Sequence, residues 1–431
     1  MSILTPTTTI ADAFSALLIG EIPFRFTAYD GSSAGPEDSV FGLHLKNERG
    51  MSYLVTAPGD LGLARAYVMG DLELVGAHPG DPFAALSHIK GSKTGLKFRA
   101  PSPSEALALI RTVGVANLKP PPIPATEHAP RWRRLMEGFL HSPERDAEVI
   151  HHHYDVSNRF YELVLGPSMT YTCACFPAED STLEEAQFHK YDLVAQKLDL
   201  KPGQRLLDVG CGWGGMVRHA VKHYGVTALG VTLSAEQASW AQQKIKEDGI
   251  DDRAEVRHLD YRHVTENDFD AVSSIGLTEH IGVANYPAYF GFLRDRLKPE
   301  GRLLNHSITR ADNKKTATGA FIDRYVFPDG ELTGSGRMIT EIQDAGLEVH
   351  HEENLRMHYA KTLAGWNAYL VENWDECVAE VGEETARVWG LYIAGSRMGF
   401  ETNEIQLHQV LATKTTPDGA SGYPLRPTWT P

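Results

Sequence analysis

The stretch "QRLLDVGCGWGG", Gln204 to Gly215, constrains this chain more than any other. An apolar run ends at Asp208 and Val209 and passes into Gly210, Gly212 and Gly214 at alternate positions. Glycine takes up left-handed backbone freely and lets the main chain approach a ligand with no Cβ in the way, so a buried strand breaking into such a turn is a junction suited to a small molecule. Downstream, the strand-like runs "VTALGVTL", "AEVRHLD", "FDAVSSIG" and "GRLLNHSI" alternate with helical stretches. That alternation predicts an α/β chain with a mostly parallel, doubly wound sheet and crossover helices.

The 431 residues suffice for two domains. Four prolines in five residues, within "NLKPPPIPAT", exclude helix and favour extended chain. They set the expected boundaries: a small α+β domain over 1–117, a proline-rich linker and basic segment over 118–142, and a catalytic domain over 143–431. In the first part, "IPFRFTAYDG" and "MSYLVTAP" read as strands, and "DLGLARAYVMG", "DPFAALSHI" and "PSEALALIRTVG" as helices. The aromatic-rich stretch from "WNAYLVENWDECVAEV" to "ARVWGLYIAGSRMGF" reads as helical core.

Net charge is −15, which argues against nucleic acid as a partner, because phosphate binding needs a basic footprint. Nine basic residues between Ser87 and Leu135, against Glu105 and Glu127, make a local exception. Such a run suits an anionic membrane surface, although a solvated face accounts for it equally well. Apolar runs such as "AFSALLIG" are far shorter than the roughly 20 residues needed to cross a bilayer. Four cysteines cannot frame disulfides in so long a chain, and the N-terminus lacks a signal-peptide pattern. The expectation is a cytoplasmic protein with reduced thiols, peripheral to the inner face of the membrane.

The order D-x-G-x-G in the glycine turn resembles the first motif of class I S-adenosylmethionine (SAM) methyltransferases, whose sheet is Rossmann-like. Many nucleotide-binding sheets end their second strand in an acid that holds ribose hydroxyls. Here that strand ends at Thr232 and Leu233, and Gln237 is the nearest polar candidate. Ser234 and Gln237 also fit a helix capping box, so Gln237 has a purely structural reading of equal weight.

Further motifs, "HHYDVSNRFYELVLGPSMTYTCACF", "SSIGLTEHIGVANYPAYF", "GRLLNHSI", "FIDRYVFPDGEL", "MHYAKTLAGW" and "NEIQLHQVL", resemble the cyclopropane-fatty-acyl-phospholipid synthase and mycolic acid methyltransferase family in order and spacing over 145–415. The segment with "AYDGSSAGP" is similar to the extra domain of the phospholipid-acting members. The resemblance implies methyl transfer from SAM to a cis alkene of an acyl chain, through a carbocation that loses a proton to a bound bicarbonate. It implies an anion site at Cys173, Glu279, His306, Ile308 and Tyr359. It implies SAM-lining positions at Tyr171, Thr172, Gly210, Gly212, Thr232, Leu233, Gln237, Tyr261 and Ile275.

On this resemblance Cys173 belongs to an anion cradle, and no metal is expected. A zinc site wants four suitably spaced ligands, and the remaining cysteines offer no second pair. Of His151, His152 and His153 only the last, with Tyr154 and Asp155, matches the family motif. Glu279 and His280 would otherwise read as a polar surface turn, His306 as a satisfied core histidine and Tyr359 as an amphipathic aromatic. Thr278 and Cys175 stand where many cyclopropane synthases have large groups, which favours the tuberculostearic-acid branch: a 10-methylene chain made from oleoyl phospholipid, with a separate reductase as partner. Ring closure to a cyclopropane and a non-catalytic lipid-binding protein are the alternatives. A homo-oligomer is expected.

Overall fold

A computed structural model describes residues 9–90, 99, 102–127, 157–314, 316–328, 330–427 and 429. The chain forms two compact units. The first gathers 1–129 with 319–326 and 367–398; the second holds 130–318, 327–366 and 399–431. The late segment 367–398, with buried Trp389, Tyr392 and Ile393, therefore belongs to the unit built on the N-terminal segment.

That first unit carries a four-stranded sheet in the order β2-β1-β3-β4, from Arg25–Ala28 (β1), Ser33–Ala34 (β2), Gly42–Leu45 (β3) and Leu72–Val75 (β4). Its core joins Phe24, Phe26, Leu43, Leu45, Met51 and Tyr53. "MSYLVTAP", expected as a strand, is instead most of the helix Glu48–Thr56. The Asn47 side chain accepts from the Gly50 amide and starts the helix, and burial of Met51, Ser52 and Tyr53 in the packed interior then outweighs the β-preference of the run. The helix Pro103–Val113 begins in a full capping box between Ser102 and Glu105. Arg99 grips that Glu105 with two bonds of 2.9 and 2.7 Å, so it is not a free charge for docking as the basic run suggested. Lys93, Lys97, Arg131, Arg133 and Arg134, like His153, Tyr154 and Asp155, lie outside the described residues.

The second unit is the doubly wound sheet. Its strands are Arg205–Val209 (β5), Thr227–Thr232 (β6), Ala254–His258 (β7), Phe269–Ile275 (β8) and Leu297–Arg310 (β9), then, after a ribbon of Thr316–Ala317 (β10) and Glu331–Leu332 (β11), Glu348–Asn354 (β12) and Ile405–Thr413 (β13). The order is β12-β13-β9-β8-β5-β6-β7. Pairs among β7, β6, β5, β8 and β9 are parallel, while β13 runs antiparallel to both β9 and β12. Strand order reverses between β5 and β8, and in such sheets the crevice at the carboxyl edge of that switch point receives the ligand. Leu207, Val209, Val272 and Leu303 are fully buried, as expected for parallel strands covered on both faces.

Candidate active site

The glycine turn opens at that switch point. Gly210, Gly212 and Gly214 have φ of 77°, 54° and 73°, the left-handed region that only glycine enters without strain. A Cβ on Gly210 would press on Leu277 at 3.0 Å, whereas one on Gly212 would meet nothing within 4 Å. The empty side of Gly212 faces a cavity of ≈ 70 Å³, lined also by Tyr171, Thr172, Gln237 and Ile275. Six of the nine residues expected to line SAM are thus brought together: Tyr171, Thr172, Gly210, Gly212, Gln237 and Ile275.

The other three stand further off. Thr232 supports Gln237, its hydroxyl donating to Gln237 Oε1 at 2.8 Å. The capping box is not formed: the Gln237 backbone N–H completes the Ser234 cap, but its side chain turns to Thr232 and the cavity, and the Ser234 amide donates to Thr232 Oγ1 instead. The Leu233 carbonyl accepts from His258 at 3.1 Å. The Tyr261 ring packs edge-on against Tyr289 and Phe292, outside the lining.

Sequence reasoning missed Lys190, on the helix Leu183–Lys197, whose ammonium enters the cavity wall and donates to Thr172 Oγ1 at 2.9 Å. Burial drags its pKa down to about 7. The same burial raises Asp208 to about 6, although the Ser273 hydroxyl bonds it at 2.6 Å. No local pattern announces Lys190, since the pairing is made by a helix packing over the strand ends.

The anion-site residues fall on the neighbouring strand ends. Glu279 lies on the short helix Thr278–Ile281, just after β8. Its Oε1 accepts the Ile308 amide at 2.7 Å, so that amide, expected to hold an anion, is donated to Glu279 here. Its Oε2 is buried with no hydrogen-bond partner among the described residues. Burial lifts the Glu279 carboxyl to about 7, against the weaker pull of the Ile308 amide, its own amide and the Ser307 hydroxyl. His306 lies two residues before Ile308 on β9, so both side chains leave the same face of the sheet. Its carbonyl accepts from the Gly276 amide at 2.8 Å, beside the cavity. Its Nε2 is also buried without a partner among the described residues.

Cys173 Sγ lies 3.9 Å from the Leu355 carbonyl, whose oxygen accepts the Tyr359 backbone N–H at 3.1 Å. Rings link them to the cofactor side, Tyr171 against Trp366 at 5.4 Å and Trp366 against Tyr359 at 6.0 Å. Burial pushes the Cys173 thiol far up and Cys175 to about 12, so both are thiols at neutral pH and neither is a ready nucleophile. Thr278, read as a space-making substitution, is fully buried and donates to Asn305 Oδ1 at 2.7 Å, which ties its helix to β9.

Comparison with known proteins agrees with this architecture. The family model described as mycolic acid cyclopropane synthetase matches residues 141–410. A probable fatty acid methyltransferase of Mycobacterium tuberculosis is 60% identical over 423 residues, 98% of each chain. The cyclopropane-fatty-acyl-phospholipid synthase of Escherichia coli K12 is 35% identical over 282 residues, 65% of this chain and 71% of that one. Among solved structures, mycolic acid cyclopropane synthase CmaA1 complexed with SAH and CTAB superposes with a TM-score of 0.58 at 33% identity, covering 62% of this chain and 97% of that one. With a glycine turn, a switch-point cavity and the buried Asp208 in its wall all inside the matched span, the chain belongs to the mycolic acid cyclopropane synthetase family of SAM-dependent methyltransferases.

Proposed function

We propose that the protein methylates the cis double bond of an oleoyl chain in a phospholipid and releases a 10-methylene product, with bicarbonate as the proton acceptor. The observation that carries this reading is the pair of orphaned buried atoms, Glu279 Oε2 and His306 Nε2. Leaving a polar atom buried and unbonded costs about 1–3 kcal/mol, so two of them near one strand end call for a polar guest. Bicarbonate offers both a hydroxyl to donate and oxygens to accept. The open side of Gly212 fits the cofactor equally well, because it leaves space where any other residue would place a Cβ. When bound, SAM supplies an electrophilic methyl on a sulfonium.

This chain's own groups do the rest. Gly210, Gly212 and Gln237 line the cofactor space, and Thr172, held by Lys190, closes one wall. Glu279 places negative charge where the alkene becomes cationic, and a buried site makes that charge count for more than it would in water. On this reading Cys173 and Tyr359 are the remaining groups around the anion. The 60% identical relative is named a probable fatty acid methyltransferase, which favours a branched over a cyclopropanated product.

Among the described residues no helix is long and apolar enough to cross a membrane. On this reading the basic run suits substrate capture at an anionic bilayer surface, through the lysines and arginines of 90–134 other than Arg99, with a reductase acting on the product afterwards. The test incubates the protein with SAM and dioleoyl-phosphatidylglycerol vesicles and examines the extracted chains by mass spectrometry and proton NMR. A gain of one CH₂ with exomethylene protons is expected; cyclopropane ring protons would replace this reading with ring closure. In calorimetry, Gly212→Val should lose SAM binding by about 100-fold or more, since any side chain there is strained and enters the cavity.

A further inference from the structure

Three strands place Glu353, Gln409 and His306 in one row. Glu353 of β12 is directly opposite Gln409 of β13, and Gln409 is directly opposite His306 of β9, so all three side chains share one face of the sheet. Lys197, at the end of the helix Leu183–Lys197, reaches this face with a fully buried side chain. Its ammonium donates to Glu353 and, at 2.7 Å, to Gln409 Oε1. The other end of the same carboxamide, Gln409 Nε2, lies 3.2 Å from His306 Nδ1.

The chemistry of these groups allows one arrangement. An ammonium donates and never accepts, so the oxygen of Gln409 must face Lys197 and its NH₂ must face His306. An NH₂ only donates, so His306 Nδ1 must be a bare acceptor, and the neutral ring then carries its proton on Nε2. That Nε2 is the buried atom left without a partner among the described residues.

We infer that Glu353, Lys197 and Gln409 form a positioning relay that locks His306 as an Nε2–H donor aimed at the anion proposed for this site. The inference rests on the proposed function for the identity of the anion, but not for the tautomer. His306 is thereby a hydrogen-bond donor and not the base: its only lone pair is engaged by Gln409, and burial beside Lys190 and Lys197 opposes adding a proton. Donor and acceptor then complement each other across the guest, His306 Nε2–H giving to one oxygen of bicarbonate and Glu279 Oε2 receiving its hydroxyl proton. Neither Gln409 nor Lys197 touches the reacting atoms.

The test uses the full-length protein with ¹⁵N-labelled histidine, His306 being assigned by the resonances that vanish in His306→Asn. The wild-type spectrum should show a protonated Nε2 and a bare Nδ1. Gln409→Glu presents an acceptor to Nδ1 and should move the proton there. It should also raise the bicarbonate concentration for half-maximal methylation at least tenfold, with SAM affinity within twofold of wild type. Gln409→Leu, which neither donates nor accepts, should give a mixture of tautomers and a smaller rise. A wild-type ring protonated on Nδ1, or a Gln409→Glu protein with the wild-type tautomer and bicarbonate requirement, overturns the relay. Should Gln409→Glu fail to fold, the wild-type spectrum still decides. Absence of acyl methylation by wild type, with the Nε2–H tautomer intact, would instead remove the proposed function and leave the relay standing.

Discussion

Two buried glutamates, one in each unit, are treated in opposite ways. In the first unit Glu127 is enclosed by cations: Arg65 bonds both its oxygens at 2.7 and 2.8 Å, Arg324 pairs with it, and the Tyr325 hydroxyl adds a bond at 3.1 Å. In the second, among the described residues, Glu279 meets no cation: its Oε1 accepts the Ile308 amide, and its Oε2 has no hydrogen-bond partner. A buried carboxylate surrounded by donors is a clamp, and here it fastens the chain after the prolines to 319–326. A buried carboxylate left short of donors is costly, and such costs concentrate where a site must later meet a guest.

Exchanging the charge for an amide should separate the two. Glu279→Gln should lower turnover at least about 10³-fold, roughly 4 kcal/mol, with SAM affinity nearly unchanged in calorimetry. It should also stabilise the protein. The folded carboxyl titrates near 7 against an ordinary 4.5, so folding takes up a proton between those values and wild-type stability falls as pH rises through that window. Denaturant melts should therefore show the variant about 3 kcal/mol more stable at pH 8, with the gap closing toward pH 4.5. A variant no more stable at pH 8 would place Glu279 with Glu127 as a structural acid.

Glu127→Ala should do the reverse. Arg65 and Arg324 lose their common partner while remaining largely buried, which costs about 3 kcal/mol or more. The melt should shift to lower denaturant with SAM affinity unaltered, and a shift below about 1 kcal/mol would mean that water replaces the carboxylate easily. Cys173→Ser is the smallest expected change. The thiol lies 3.2 Å from the Ala174 carbonyl, with the Leu355 carbonyl and the Thr362 hydroxyl also beside it, so a hydroxyl should keep activity within about tenfold. Complete loss with an adduct on Cys173 would make it a nucleophile.

The parts legible in the sequence are those encoded locally. A strand ending in Gly210 and Gly212 and the alternating runs that follow it carry their geometry within a few residues. "MSYLVTAP" misled because β-branched and aromatic residues fit a buried helix face as well as a strand, and only the Asn47 cap decides. Lys190, Lys197 and Gln409 were invisible as a group for another reason. Lys197 and Gln409 are 212 positions apart and meet only because β13 inserts between β9 and β12. Gln409 lies within the quoted run "NEIQLHQVL", yet the register that sets it opposite His306 cannot be read from one strand alone.

The interleaving of the two units bears on the order in which the protein can be made. The N-terminal segment ends at 129, but the pieces that complete its unit are 319–326 and 367–398. At roughly 5–20 residues per second a ribosome needs tens of seconds to travel from one to the other. During that interval Glu127 has Arg65 but not Arg324, and the nascent segment waits with part of its core uncovered while the SAM-binding sheet emerges behind it. Chaperone attendance on the ribosome, released only after the last of these pieces leaves the exit tunnel, is the expected signature of such a chain.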